Sequence, residues 1–167
     1  MRGLTLVRLA EAAALSHPFL SQIERGLAQP SLPSLRRIAL ALETSPIELI
    51  AAGDEADAAA RVEVHRLGDG APAADFARTP AYMLANGSRA FHPMRLESRE
   101  TDPGDYVRHR EDEFLYVLAG DVRIDLDGDV HALGAGDSVY FCGGVAHRWW
   151  SGDGRMIRML VVKQGAV

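Results

Sequence analysis

The apolar positions of this chain keep two different periods. Between Thr5 and Ala52 they recur every three or four residues, the spacing of helices that bury one face. Leu32, Leu35, Ile38, Ala39 and Leu42 form one such stripe. Capping residues divide this half. Thr5 is placed to cap a helix through about Ala13, Ser16 a second that ends at Gly26, and Ser31 a third through about Leu42. In "SPIE", Ser45 takes the cap position, Pro46 the first helical position and Glu48 the capping-box position, with Gly53 closing that last helix. From Val62 the period becomes two. "VRIDLDG" sets Val122, Ile124 and Leu126 on one face and Arg123, Asp125 and Asp127 on the other. Asp127-Gly128 is a two-residue hairpin signal, and "GAGD" at 134–137 marks another turn. "SVYF", "HRWW" and "RMIRMLVVK" read as further strands. Short strands with frequent turns predict a β-barrel or sandwich. The small, charged "DEADAAARV" stands between the two patterns. The reading is therefore α+β in sequence: an all-α domain over 1–53, a linker over 54–61 and an all-β domain over 62–167.

Composition narrows the classes. A chain of 167 residues holds two small domains or one ordinary one. No apolar run nears the ~20 residues of a membrane helix. The N-terminus carries Glu11 and Glu24 and does not read as a signal peptide. Cys142 is the single cysteine, which leaves no internal disulfide and fits a reducing cytoplasm. The net charge of −5 divides unevenly. Residues 1–53 carry five arginines against four glutamates, a net +1, so the remainder carries −6. Only the first half can approach DNA phosphates without strong repulsion.

"LAEAAALSHPFLSQIERG" reads as a helix, a tight turn and a second helix, with Leu15, Leu20 and Ile23 inward and His17, Ser21, Gln22 and Arg25 outward. With the following "PSLPSLRRIALAL", it resembles the helix-turn-helix of the phage-repressor-like (XRE) family over about residues 3–52. The resemblance implies that the helix starting near Ser16 enters the major groove. Ser16, His17, Pro18, Ser21, Gln22 and Arg25 then become base-reading or groove-edge positions. Gln suits adenine and Arg suits guanine. The helix start at Ser31, with Ser34, would hold a phosphate. Two positions depart from the family. Ala14 replaces a turn glycine, and the family's first helix, which precedes "GLTL", has no counterpart after Met1. Either the natural start lies upstream, or the fold manages without that helix and apolar surface on the others needs a different cover.

In the β half, Gly104, Val107, His109, Glu113 and Gly120 resemble the first cupin motif, and Gly136, Cys142, Gly144 and His147 the second. The resemblance covers roughly residues 62–163 and implies a jelly-roll barrel. In metal-binding cupins these motifs supply three histidines and a glutamate. Here Val107 replaces the first histidine, Cys142 a proline, and Ser151 stands where asparagine is common. His109, Glu113 and His147 remain, a set that suits Zn²⁺ or Fe²⁺. The alternative is that these groups hydrogen-bond a polar ligand or one another. Trp149 and Trp150 alternate faces, so one lines the pocket or core and the other an edge. His65, His92 and His131 lack partners at ligand spacing and read as surface or strand residues. The rest of "HREDE" reads as a solvated loop.

The order of parts resembles the bacterial XRE–cupin transcriptional regulators. The resemblance implies a cytoplasmic homodimer that binds operator DNA and no membrane. Its cupin would sense a small-molecule effector, an amino acid or amine by the chemistry of the pocket, which consists of Val107, His109, Glu113, His147 and Trp149. No catalytic residue is assigned. The competing readings are a metal-dependent cupin oxygenase or isomerase with an accessory helical domain, and an antitoxin-like DNA-binding partner whose barrel only dimerises.

Overall fold

The computed structural model describes residues 4–44, 46, 49, 62–66, 72–73, 79, 81–85 and 89–165. Three helices come first: α1 (Leu6–Ala12), α2 (His17–Glu24) and α3 (Leu32–Leu42). Each starts where the sequence places a cap. Thr5, Ser16 and Ser31 accept through their hydroxyls from the backbone N–H of Arg8, Phe19 and Ser34 at 3.3, 3.3 and 3.4 Å. Each cap satisfies one of the donors that a helix start leaves open. Gly26 follows α2 with φ +68°. The inward faces of the helices meet in a small core of Ala10, Ala13, Leu20 and Ile38, with Leu15 and Ile23 packed beside it. The helix expected over 45–53 and the linker over 54–61 lie outside the described residues, save for Pro46 and Leu49.

Nine strands follow among the described residues: β1 (Pro72–Ala73), β2 (Ala81–Met83), β3 (Phe91–Ser98), β4 (Glu113–Ala119), β5 (Val122–Leu126), β6 (Asp129–Leu133), β7 (Ser138–Phe141), β8 (His147–Ser151) and β9 (Ile157–Gln164). They form a six-stranded sheet, β1-β2-β3-β9-β4-β7, and a three-stranded sheet, β6-β5-β8. The described pairings are antiparallel. This is the two-sheet jelly roll that the strand pattern and the motifs imply. Leu115, Val117, Val122, Ile124, Ile157, Met159 and Val161 fill the space between the sheets. The hairpin at Asp127-Gly128 has positive φ at both positions, the type I′ geometry expected there. Gly120 is dictated by space as well as by φ +89°, since a Cβ there would sit 2.8 Å from the Ile157 side chain.

No helix among the described residues is long and apolar enough to cross a membrane.

Ala14 adopts φ +50° in the turn between α1 and α2, the conformation for which glycine is suited. A left-handed L-residue costs roughly 1–2 kcal/mol. Ala14→Gly relieves that strain but loosens the unfolded chain. The expected net is a stabilisation of about 1 kcal/mol or less, read as a rise in the denaturant midpoint of the full chain. A lower midpoint would contradict the strain argument.

Candidate functional site

The site begins with a short pairing between a loop residue and the start of β8. Val107 and His147 exchange backbone hydrogen bonds of 2.8 and 2.9 Å as an antiparallel bridge. Directly opposed residues share a face, so Val107 stands beside the His147 side chain. Two residues on, His109 turns into the barrel, and Glu113 opens β4 facing the same way. His109, Glu113 and His147 are all buried. Their candidate ligand atoms lie within 4.8 Å of one another. His109 Nε2 is 3.1 Å and His147 Nε2 4.0 Å from Glu113 Oε2.

The outer nitrogens fix the tautomers. His109 Nδ1 lies 3.1 Å from the Glu111 carbonyl, and His147 Nδ1 3.0 Å from the Val145 carbonyl. A carbonyl only accepts, so both Nδ1 atoms carry hydrogen and donate. In a neutral ring Nε2 then presents its lone pair inward. Two imidazole lone pairs and a carboxylate thus converge, a donor set whose chemistry fits a divalent metal ion.

A fourth group enters this cluster. Lys163 Nζ is 2.6 Å from His109 Nε2 and 3.1 Å from Glu113 Oε2. Lys163 and Glu113 are direct partners across β9 and β4. Burial acts first on Glu113 and would raise its pKa. The Lys163 charge and the neighbouring His109 ring outweigh it and bring the carboxyl down to about 2. Burial pushes the His147 imidazole below its ordinary value, against the pull of Glu113. His109 is also opposed by burial, but the neighbouring Glu111 and Glu113 carboxylates carry it above the ordinary value.

Glu111 corrects the sequence reading of "HREDE" as a solvated loop outside His109 and Glu113. It is buried. Its Oε1 accepts from Thr44 Oγ1 at 2.7 Å, and its Oε2 lies 3.3 Å from His109 Nδ1. These bonds overcome the burial penalty and hold its carboxyl near pKa 2. Thr44 follows the end of α3, 67 residues away in sequence, so no local pattern could announce this contact. Beside it, Arg110 Nε donates to Glu43 Oε2 at 3.3 Å on the surface.

Above the triad is a cavity of about 410 Å³, within the usual range for small-ligand sites. Its floor includes His109, Glu113, His147 and Lys163. Val107 and Trp149 form part of its wall, the positions given them by the sequence reading. The opposite wall is helical: Arg36, Ala39 and Leu40 of α3, then Thr44 and Pro46. The remaining histidines lie elsewhere. His92 is buried in β3, His131 is exposed in β6, and His65 lies beside Glu63.

On the helical domain, Ser16, His17, Pro18, Gln22 and Arg25 are exposed along α2, and Ser21 is half-buried. Arg25 Nε donates to the Ser21 carbonyl at 3.2 Å. Ser31 is exposed, whereas Ser34 is buried. The Ser34 hydroxyl lies 2.9 Å from Ser31 Oγ, and its backbone N–H also points there. Ser34 is thus turned inward, which departs from the expectation that it faces a phosphate.

The chain is a helix-turn-helix domain joined to a cupin barrel, the architecture of a DNA-binding transcription regulator with a cupin domain. Residues 1–49 match the Helix-turn-helix family model and residues 94–163 the Cupin domain model. The fold is similar to that of an HTH_3 family transcriptional regulator from Vibrio cholerae, with TM-score 0.61 and 19% identity over 99% of this chain and 89% of that one. It is also similar to hydroxypropylphosphonic acid epoxidase from S. wedmorenis, with TM-score 0.53 and 20% identity over 96% of this chain and 90% of that one. A Cupin 2 conserved barrel domain protein from Salinispora arenicola CNS-205 matches the barrel, with TM-score 0.51 and 18% identity over 65% of this chain and 91% of that one. No protein of curated function matches the chain in sequence.

The buried Glu113–Lys163 pair has a clear signature. Removing one partner of a buried pair costs about 3–5 kcal/mol, whereas exchanging both for apolar groups is often near neutral. Glu113→Gln is therefore expected to destabilise more than Glu113→Gln combined with Lys163→Met, measured by denaturant unfolding. Acid adds a second check. The Glu113 carboxyl lies at about 2 in the fold against an ordinary 4.5. The stability it lends is complete above the ordinary value and is lost as pH falls toward the folded one. The melting temperature should drop over that interval, and less steeply in Glu113→Gln.

Proposed function

We propose that this chain is a sequence-specific transcriptional regulator whose cupin domain binds a small polar metabolite and passes its occupancy to the helix-turn-helix. One observation carries the reading: the cavity over the triad has α3 of the helical domain as one wall. A molecule in that cavity touches both domains at once. Glu113 lies 3.1 Å from His109 Nε2, His109 Nδ1 donates to the Glu111 carbonyl, and the Glu111 side chain accepts from Thr44, so neighbouring contacts run from the cavity floor to the end of α3. A ligand that binds two positions of α3 unequally shifts the balance between them.

On the DNA side, Gln22 and Arg25 offer bidentate chemistry from the exposed face of α2. His17, Pro18 and Ser16 border the groove, and Ser31 faces a phosphate. A single helix-turn-helix covers little DNA, so the chain acts as a homodimer on two half-sites about one helical turn (~34 Å) apart. The effector class that suits a carboxylate beside two imidazoles is an amine or amino acid. It has to compete with Lys163 for Glu113.

The second reading is a metal-dependent cupin enzyme. His109, Glu113 and His147 would be the ligands of Zn²⁺ or Fe²⁺, and the likeness to an epoxidase fold favours it. The missing fourth ligand at Val107 weighs against it.

Selection on random duplexes tests the main reading. A two-fold symmetric motif is expected, with binding that weakens steeply as salt rises. Gln22→Ala with Arg25→Ala should flatten sequence preference before general binding is lost. No enriched motif would overturn DNA recognition. Thr44→Val should leave operator affinity within a few-fold and abolish its response to an effector found by thermal-shift screening. A full response in Thr44→Val would remove the proposed path, and substrate turnover would favour the enzyme reading.

A further inference from the structure

We infer that Lys163 is the resident cation of the cupin triad, standing where a divalent ion would bind, and that it keeps this site metal-independent. The inference rests on the geometry of the cluster and does not require DNA binding.

The His109 Nδ1 atom faces the Glu111 carbonyl, so its hydrogen is there and the neutral ring has one lone pair, on Nε2. Lys163 Nζ lies 2.6 Å from that nitrogen. An ammonium only donates. Hence the lone pair a metal would need is already bonded to Lys163. The same Nζ lies 3.1 Å from Glu113 Oε2, the carboxylate oxygen nearest both imidazoles. Two of the three candidate ligand atoms are therefore engaged by one cationic group.

A divalent ion at about 2.0–2.2 Å from Nε2 and Oε2 would stand next to a buried ammonium. Like charges in a desolvated site repel strongly. The carboxylate can compensate one of them and not both. Lys163 is itself buried. It sits in β9, paired with Glu113 across the ladder, at the end of an inward row of Ile157, Met159 and Val161. Val107 stands beside His147, so the triad lacks the imidazole that would help a metal displace the lysine.

The experiment uses the full chain and Co²⁺, whose visible absorption reports coordination. Wild type is expected to give no stoichiometric band at micromolar Co²⁺. Lys163→Met should bind Co²⁺ about 10–100-fold more tightly, the size of effect that groups around a metal site exert. Adding His109→Ala to that variant should remove the gain. Lys163→Gln provides a second substitution with a polar end. Stoichiometric micromolar binding by wild type, lost in His109→Ala, would overturn the inference. So would folded Lys163 variants with no gain. Nitrogen-15 NMR of wild-type histidines decides the matter without any variant. The His109 Nε2 resonance should stay in place when one equivalent of Zn²⁺ is added, and a coordination shift there would refute the assignment.

Discussion

A charge buried between two sheets has to be answered from close range. Glu113 is buried at the start of β4 and stays ionised. Leaving it unpaired would cost several kcal/mol. Lys163 answers it from the neighbouring strand, and that answer fixes the β4–β9 register, because a slip of one residue would turn Lys163 outward. His109 then has to offer Nε2 to the lysine, which sends its Nδ1–H toward Glu111. Glu111 in turn has an oxygen left for Thr44. The polar centre of the barrel and its join to the helices are thus successive consequences of one buried carboxylate.

That chain of bonds explains how a small helical domain can serve as the lid of a pocket. The helical core is slight, and Leu40 on α3 lies on its outer side. Facing the barrel, α3 gives Ala39 and Leu40 to the cavity wall, while Thr44 and Glu43 hold its end to Glu111 and Arg110. The Arg110–Glu43 pair is exposed and adds little. The Thr44–Glu111 bond is the stronger constraint, since it is part-buried and charge-assisted. Whatever fills the space beneath α3 therefore meets Ala39, Leu40 and Thr44 together.

Local patterns in the sequence announce most of this architecture. Thr5, Ser16 and Ser31 mark helix starts because capping is a matter of a few neighbouring atoms. Asp127-Gly128 marks its hairpin because the type I′ turn tolerates few residues. His109, Glu113 and His147 are legible through motif spacing. Glu111 and Thr44 are not, since their bond depends on how two domains meet. Ser34 looks like a phosphate contact by position and is instead turned to Ser31. Lys163 was within reach: Ile157, Met159 and Val161 alternate inward, and the next inward position is a lysine. A charged residue in a core-facing register is a signal that an ionic partner lies opposite.

Val107 and Lys163 bear on one question from opposite sides. An imidazole at position 107 would stand beside His147 and favour a metal, while an ammonium at position 163 claims the lone pair of His109 and disfavours one. Either departure alone could be a neutral change around a working centre. Together they remove a ligand and add a competing cation, and both push the pocket away from metal chemistry. What remains is a 410 Å³ space with a neutral imidazole at His147, a neutralised carboxylate and a helical wall. Such a floor has hydrogen bonds to give and accept. The proposed recognition of a polar molecule, with α3 as one wall of the cavity, needs only these hydrogen bonds.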